Sequence, residues 1–175
     1  MDRLWSPWRL AYVTGTAKTV TCVFCDAQTS ATDQASLIVY RGTTCFVILN
    51  LYPYNSGHLM VVPNRHIGSL VEASSEELTE LIELTRRGEA ALTEAYTPQG
   101  MNMGINLGKP AGAGVLDHLH MHIVPRWTGD TNFMTVVGET RVLPEELPVV
   151  AAKLMTIFEK LASPPPSIIA KRDTT

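Results

Sequence analysis

The sequence predicts an α+β protein in which helices cover one face of a mostly antiparallel sheet of about five strands. Three observations predict it. Short apolar runs are joined by turn residues in the first third of the chain; one long helical pattern follows; two further strand-like runs and a last helix complete it. The chain has 175 residues, the size of one domain. We place that domain at 1–163, with an arm over 1–21 and a short mobile tail over 164–175.

Taken in order, the arm carries Trp5, Trp8, Leu10 and Tyr12 without a helical or strand period, so these groups need a partner surface. Residues 29–36 are small and polar and read as a loop. Leu37-Ile38-Val39-Tyr40, the turn at Gly42, and Cys45-Phe46-Val47-Ile48-Leu49 read as a hairpin. The segment from Tyr52 to Gly57 is turn chemistry, and His58-Leu59-Met60-Val61-Val62 is a third strand ended by Pro63. A helix spans about 75–96: Ser74 and Glu77 form a capping-box pattern. Leu78, Leu81, Ile82, Thr85, Leu92 and Ala95 form its apolar stripe. Gly88, near that stripe, marks close packing against the sheet. Strands follow over 101–107 and 118–124, separated by a Gly-rich loop over 108–114. A final helix spans about 145–162, with Pro148 in its first turn.

Composition narrows the function. A net charge of −3 argues against binding nucleic acid through bulk positive charge. No apolar run approaches the roughly 20 residues that span a bilayer. The N-terminus lacks the apolar core of a signal peptide, and three cysteines do not make a disulfide framework. The expected location is cytoplasmic.

The chemistry concentrates in Asp117-His118-Leu119-His120-Met121-His122-Ile123-Val124. Alternation puts His118, His120 and His122 on one strand face and Leu119, Met121 and Ile123 on the other. A core strand would use Val or Ile at the histidine positions, and a solvated one Thr or Lys. His118 and His122 lie about 13 Å apart along an extended strand, too far to ligate one metal together; the three must divide the work. Gly108, Gly112 and Gly114, just before, suit a loop whose N–H groups turn toward an anion. Cys22-Val23-Phe24-Cys25 reads as half of a tetrahedral zinc site, as a redox pair, or as two buried thiols. Cys45 reads as a small core residue. His58 either bonds the turn before it or contacts substrate. Trp127, Gly129, Asp130, Asn132 and Phe133 form a polar–aromatic segment that either closes over a ligand or packs as a surface loop.

The histidine pattern, the runs 46–50 and 57–63 with His66, Asn106-Leu107-Gly108, the L-W-S-P-W-R arm and the C-V-F-C pair together resemble the histidine triad (HIT) superfamily. The likeness covers about 1–145 and is to its bacterial diadenosine polyphosphate phosphorylase-like branch. The resemblance implies a HIT-like fold. It implies that His120 is a nucleophile forming a nucleotidyl-histidine, with a main-chain carbonyl near His118 orienting its other nitrogen. His122 would bind phosphate oxygens and assist the leaving group. Asn50 would contact ribose, and Asn106 with Gly112, Ala113 and Gly114 would contact phosphate. It implies structural zinc on Cys22, Cys25, His66 and His118, no organic cofactor, and a homodimer or higher homo-oligomer. The implied substrates are a dinucleoside polyphosphate and inorganic phosphate as acceptor. Hydrolase relatives carry Gln-Ser where this chain has Gly114-Val115, and uridylyl-transferring relatives carry Gln where it has His122. Three readings compete with a phosphorylase: a hydrolase of dinucleoside polyphosphates or nucleoside phosphoramidates, using water on the same intermediate; a zinc hydrolase, using water on a metal held by H-x-H; and a nucleotide-binding module without turnover.

Overall fold

A computed structural model describes residues 22–130 and 145–162. The Trp-bearing arm, the segment with Asn132 and Phe133, and the tail lie outside the described residues. After a short helix α1 (Val23–Gln28) and a one-turn helix α2 (Asp33–Ser36) come strands β1 (Ile38–Arg41), β2 (Cys45–Leu49) and β3 (Leu59–Pro63). Helix α3 (Ser75–Tyr96), β4 (Gly100–Ile105), β5 (Met121–Arg126) and α4 (Leu147–Ala162) follow. The five strands form one sheet in the order β1-β2-β3-β5-β4, and every neighbouring pair is antiparallel. The expected α+β architecture is what the chain adopts.

The sheet has two apolar faces, which is why β2 and β3 are buried along their whole length. One face meets both long helices. Val47, Leu49, Leu59, Val61, Leu119 and Ile123 pack there with Leu81, Leu84 and Leu92 of α3 and Leu154, Ile157 and Phe158 of α4. The other face holds Ile38, Phe46, Ile48, Met60 and Val62, covered by Phe24. The side chains of 118–122 obey the expected alternation: Leu119 and Met121 pack with the helical face, and His120 meets Phe24.

Helix α3 begins on the expected capping box, with Ser74 accepting from Glu77 N–H and the Glu77 carboxylate accepting from Ser74 N–H. Glu77 is buried and also takes a two-point hydrogen bond from Arg65; that guanidinium holds its carboxyl at about 2. Gly88 packs as expected: a Cβ there would lie 2.6 Å from Ile123 Cδ1.

Four local expectations are corrected. Ile82 is 59% exposed, and the stripe that meets the sheet runs through Leu81, Leu84, Thr85, Gly88, Ala91 and Leu92, because residue 82 turns about 100° away from 81. Residues 29–36 are not all loop: Thr32 caps α2 by accepting from Ala35 N–H. Strand β4 stops at Ile105, its last residue paired with β5. Strand β5 begins at Met121, not at His118, because Leu119 N–H bonds Ile67 O in the loop after β3 while Met121 and His122 pair with Val61 and Met60.

Candidate active site and metal centre

The three histidines do divide, and hydrogen bonds assign each a tautomer. A carbonyl only accepts and a main-chain N–H only donates. His118 Nε2 lies 2.9 Å from Pro63 O, so Nε2 carries the proton and Nδ1 the lone pair. His120 Nδ1 lies 2.8 Å from His118 O, so the proton is on Nδ1 and Nε2 keeps its lone pair. The carbonyl implied by the resemblance is that of His118 itself. Burial makes protonation of His118 and His120 harder than for a solvated imidazole.

His122 takes the opposite tautomer through a relay that starts at the turn before β3. Tyr54 N–H donates to His58 Nδ1 over 3.1 Å, so His58 holds its proton on Nε2. That nitrogen lies 2.9 Å from His122 Nδ1, which must accept; neutral His122 therefore carries its proton on Nε2. Burial and the neighbouring His120 push His122 down to about 4, so it is neutral at pH 7. The rings of His120 and His122 stand 4.8 Å apart at 78°. The site pairs a histidine with a free Nε2 lone pair and one with an Nε2–H donor.

Of the two readings of His58, the structure supports the turn bond: the side chain is fully buried. Asn50 belongs to the same turn. Its Oδ1 accepts from Tyr52 N–H, and its Nδ2 lies 3.4 Å from His58 Nδ1. Asn106 is half-buried just beyond β4. In the Gly-rich loop, Gly108 and Gly112 have φ of 80° and 91°, backbone that favours glycine. The Gly112 and Ala113 N–H groups donate to Lys109 O and Gly108 O, closing the loop on itself; Gly114 is exposed beside them.

The other end of the triad meets the cysteines. Sγ of Cys22 and Cys25 and a ring nitrogen of His66 and His118 all lie within 4.8 Å of one another. The His118 lone pair on Nδ1 points at Cys22 Sγ over 3.2 Å, and His66 Nδ1 is 3.3 Å from Cys25 Sγ. A tetrahedral zinc with thiolate and imidazole arms has S···N edges of roughly 3.5 Å, so this donor set fits a metal ion. Burial and Cys22 raise the Cys25 thiol, so paired thiolates here need a cation beside them. The redox reading needs the pair to follow a strand within a βαβ unit, and no described strand precedes Cys22. Cys45 is a buried core residue, as expected.

Two contributors were not read from the sequence. Phe24, between the cysteines, is 4% exposed and touches both His118 and His120; its position inside C-V-F-C is the signal that could have found it. Asn55 ties the His58 turn to the exit of β5, donating to Pro125 O and Asp130 Oδ2, while Arg126 grips Asp130 with two hydrogen bonds. Trp127, half-buried, donates its N–H to Asp130 in that clasp.

Comparison with known proteins agrees with this geometry. A Mycobacterium tuberculosis protein named AP-4-A phosphorylase is 38% identical over 84% of this chain and 79% of its own length. A Schizosaccharomyces pombe protein named bis(5'-nucleosyl)-tetraphosphatase (asymmetrical) is 33% identical over 54% of this chain and 52% of its own. The crystal structure of a zinc-bound histidine triad family protein from Mycobacterium smegmatis superposes with a TM-score of 0.65 at 26% identity, covering 82% of this chain and 96% of that one. No described helix is long and apolar enough to cross a membrane. The HIT domain family model matches residues 31–129, which hold the whole triad and the His58 relay, and the chain belongs to that family.

Proposed function

We propose that the protein cleaves dinucleoside polyphosphates such as diadenosine tetraphosphate, moving a nucleotidyl group first to His120 and then to inorganic phosphate. The observation that carries this reading is the opposed pair of tautomers. The His120 Nε2 lone pair attacks the α-phosphorus, forming an N–P bond as the bond to the bridging oxygen breaks. His122 donates a hydrogen bond from its Nε2–H to that departing oxygen, which leaves as the anionic terminal phosphate of ATP and needs no proton. Positive charge on the phosphorylated His120 ring is met by the His118 carbonyl at Nδ1–H. In the second half, an oxygen of inorganic phosphate attacks the same phosphorus and the N–P bond breaks. Diadenosine tetraphosphate plus phosphate then gives ADP and ATP.

Water competes at about 55 M, so a phosphorylase must hold its phosphate; placement of a reactant can lower a barrier by about 7–11 kcal/mol. We assign that task to Gly112, Ala113 and Gly114, with Lys109 beside them and Asn106 on the polyphosphate. The anion takes the N–H groups that now close the loop, and the positive-φ glycines let the loop open to it. Asn50 is assigned the ribose. Zinc is assigned to Cys22, Cys25, His66 and His118, where four protein ligands close its shell and it supplies folding free energy. The phosphorylase relative from M. tuberculosis supports the choice of acceptor; the tetraphosphatase relative supports water as the second reading.

Product analysis decides between them. With diadenosine tetraphosphate and millimolar phosphate we expect ADP plus ATP and a rate that rises with phosphate. AMP plus ATP at a phosphate-independent rate would leave only the hydrolase. His120→Ala should lower turnover by several orders of magnitude with the fold intact; activity above a few per cent would remove His120 as nucleophile.

A further inference from the structure

The C-V-F-C segment does more than supply two sulfurs. Between its cysteines, Phe24 is buried and its ring stands edge-on to His118 at 5.4 Å and 79°. The same ring lies 5.1 Å from the His120 ring, the group to which we assign nucleophilic attack. His118 is the second link. Its Nδ1 faces the cysteine sulfurs, its Nε2–H is held by Pro63 O, and its carbonyl holds His120 Nδ1–H. The metal centre and the nucleophile thus share one residue's side chain and main chain, and one aromatic wall touches both rings.

We infer that Phe24 is a positioning residue for His120, brought into place by the metal-binding Cys22–Cys25 segment, so that metal loading and orientation of the nucleophile are one event. An imidazole with a single hydrogen bond can still rotate about its Cβ–Cγ bond. A ring packed against its flank stops that rotation and keeps water from competing for the His118 carbonyl. Residues 22–25 lie at the start of the six-residue helix α1, which is shorter than an isolated helix needs to be stable in water. The cysteine ligands and the burial of Phe24 are what fix it.

The catalytic arm of the test rests on the proposed function; the spectroscopic arm does not. Phe24→Leu is compared with Phe46→Leu, a control in the same apolar cluster. Metal content, turnover of diadenosine tetraphosphate, and the imidazole ¹⁵N signals of His120 without substrate are measured on each. We expect Phe24→Leu to keep its metal and its KM, to lose roughly ten- to hundredfold in kcat, the scale of an ångström-sized misplacement, and to lose the confinement of the His120 proton to Nδ1. Phe46→Leu should stay within twofold of wild type with the His120 signals unchanged. Wild type stripped by a chelator should show the Phe24→Leu pattern at His120. Equal kcat and equal His120 signals in the two variants would overturn the inference. So would stripped wild type that keeps the Nδ1 proton, or Phe24→Leu that binds no metal, which would make the ring a support of the metal centre alone. If Phe24→Leu does not fold, Phe24→Met, closer in volume, is read by the same criteria. If wild type turns over no dinucleoside polyphosphate, the proposed function fails and the His120 signals still decide the role of Phe24.

Discussion

Replacing His58 by Phe keeps a ring in a fully buried position and deletes both nitrogens of the relay. Its first effect is on stability. Tyr54 N–H, which now bonds Nδ1, loses that acceptor at a cost of about 1–3 kcal/mol. The 2.9 Å bond to His122 is also lost, for a further ~0.5–1.5 kcal/mol. We expect His58→Phe to be destabilised by about 2–4 kcal/mol in urea unfolding. The second effect is on chemistry. The lost bond is what favours the Nε2–H tautomer of His122, so kcat falls by about two- to tenfold, which is that bond energy expressed as a rate ratio. The His122 ring and its Nε2–H donor are still present, so the fall stays far short of that expected of His120→Ala. The assay is a double-mutant cycle with His122→Ala. Without His122 there is no ring for His58 to orient, so the double variant should be no slower than His122→Ala alone. Multiplying losses would show that His58 acts elsewhere and refute the relay.

Other outcomes follow from the same geometry. Cys25→Ser should lose its metal, read by elemental analysis, and unfold at lower temperature than wild type, because structural zinc binding adds directly to folding free energy; wild type purified without chelators and free of zinc would leave the cysteines as ordinary thiols. His122 titrates near 4 when folded and near 6.5 when unfolded. The unfolded chain therefore takes its proton first, and this part of the stability is complete above pH 6.5 and lost as pH falls toward 4; unfolding midpoints of wild type minus those of His122→Ala should slope over that window and be flat above it. Gly88→Ala gains about 1 kcal/mol of helix propensity but sets a methyl 2.6 Å from Ile123 Cδ1, an overpacking cost of about 1–3 kcal/mol. It should destabilise wild type yet stabilise Ile123→Val, which lacks that atom; destabilisation in both backgrounds would place the conflict in the helix itself.

Much of this was legible in the residues alone, for local reasons. The capping box at Ser74, the periodicity of α3 and the turn residues between strands act over a few positions, so the α+β architecture could be read directly. The spacing of H-x-H-x-H already required a division of labour, and the structure realises it, with His118 toward the cysteines and His122 toward His58. Boundaries were less legible. Alternation says which way a side chain points, but not that β5 starts at Met121, which depends on a main-chain bond between Leu119 and Ile67. The stripe of α3 was misplaced at Ile82 for a similar reason: periodicity defines an apolar arc, and the sheet chooses which part of it to bury.

The tautomers belong to the tertiary structure entirely. Each is set by a partner that the motif does not contain or does not announce: Pro63 O for His118, the His118 carbonyl for His120, and the Tyr54–His58 relay for His122. The same holds for the candidate metal site, whose cysteines stand 96 and 93 residues from His118 in the chain, and for Phe24, an ordinary apolar residue until the fold lays it on the His120 ring. The sequence by itself determined which imidazoles and thiols are present and which face of the strand they share. Only the folded chain decided which nitrogen holds each proton, because an imidazole takes its tautomer from whatever donor or acceptor the fold places against it.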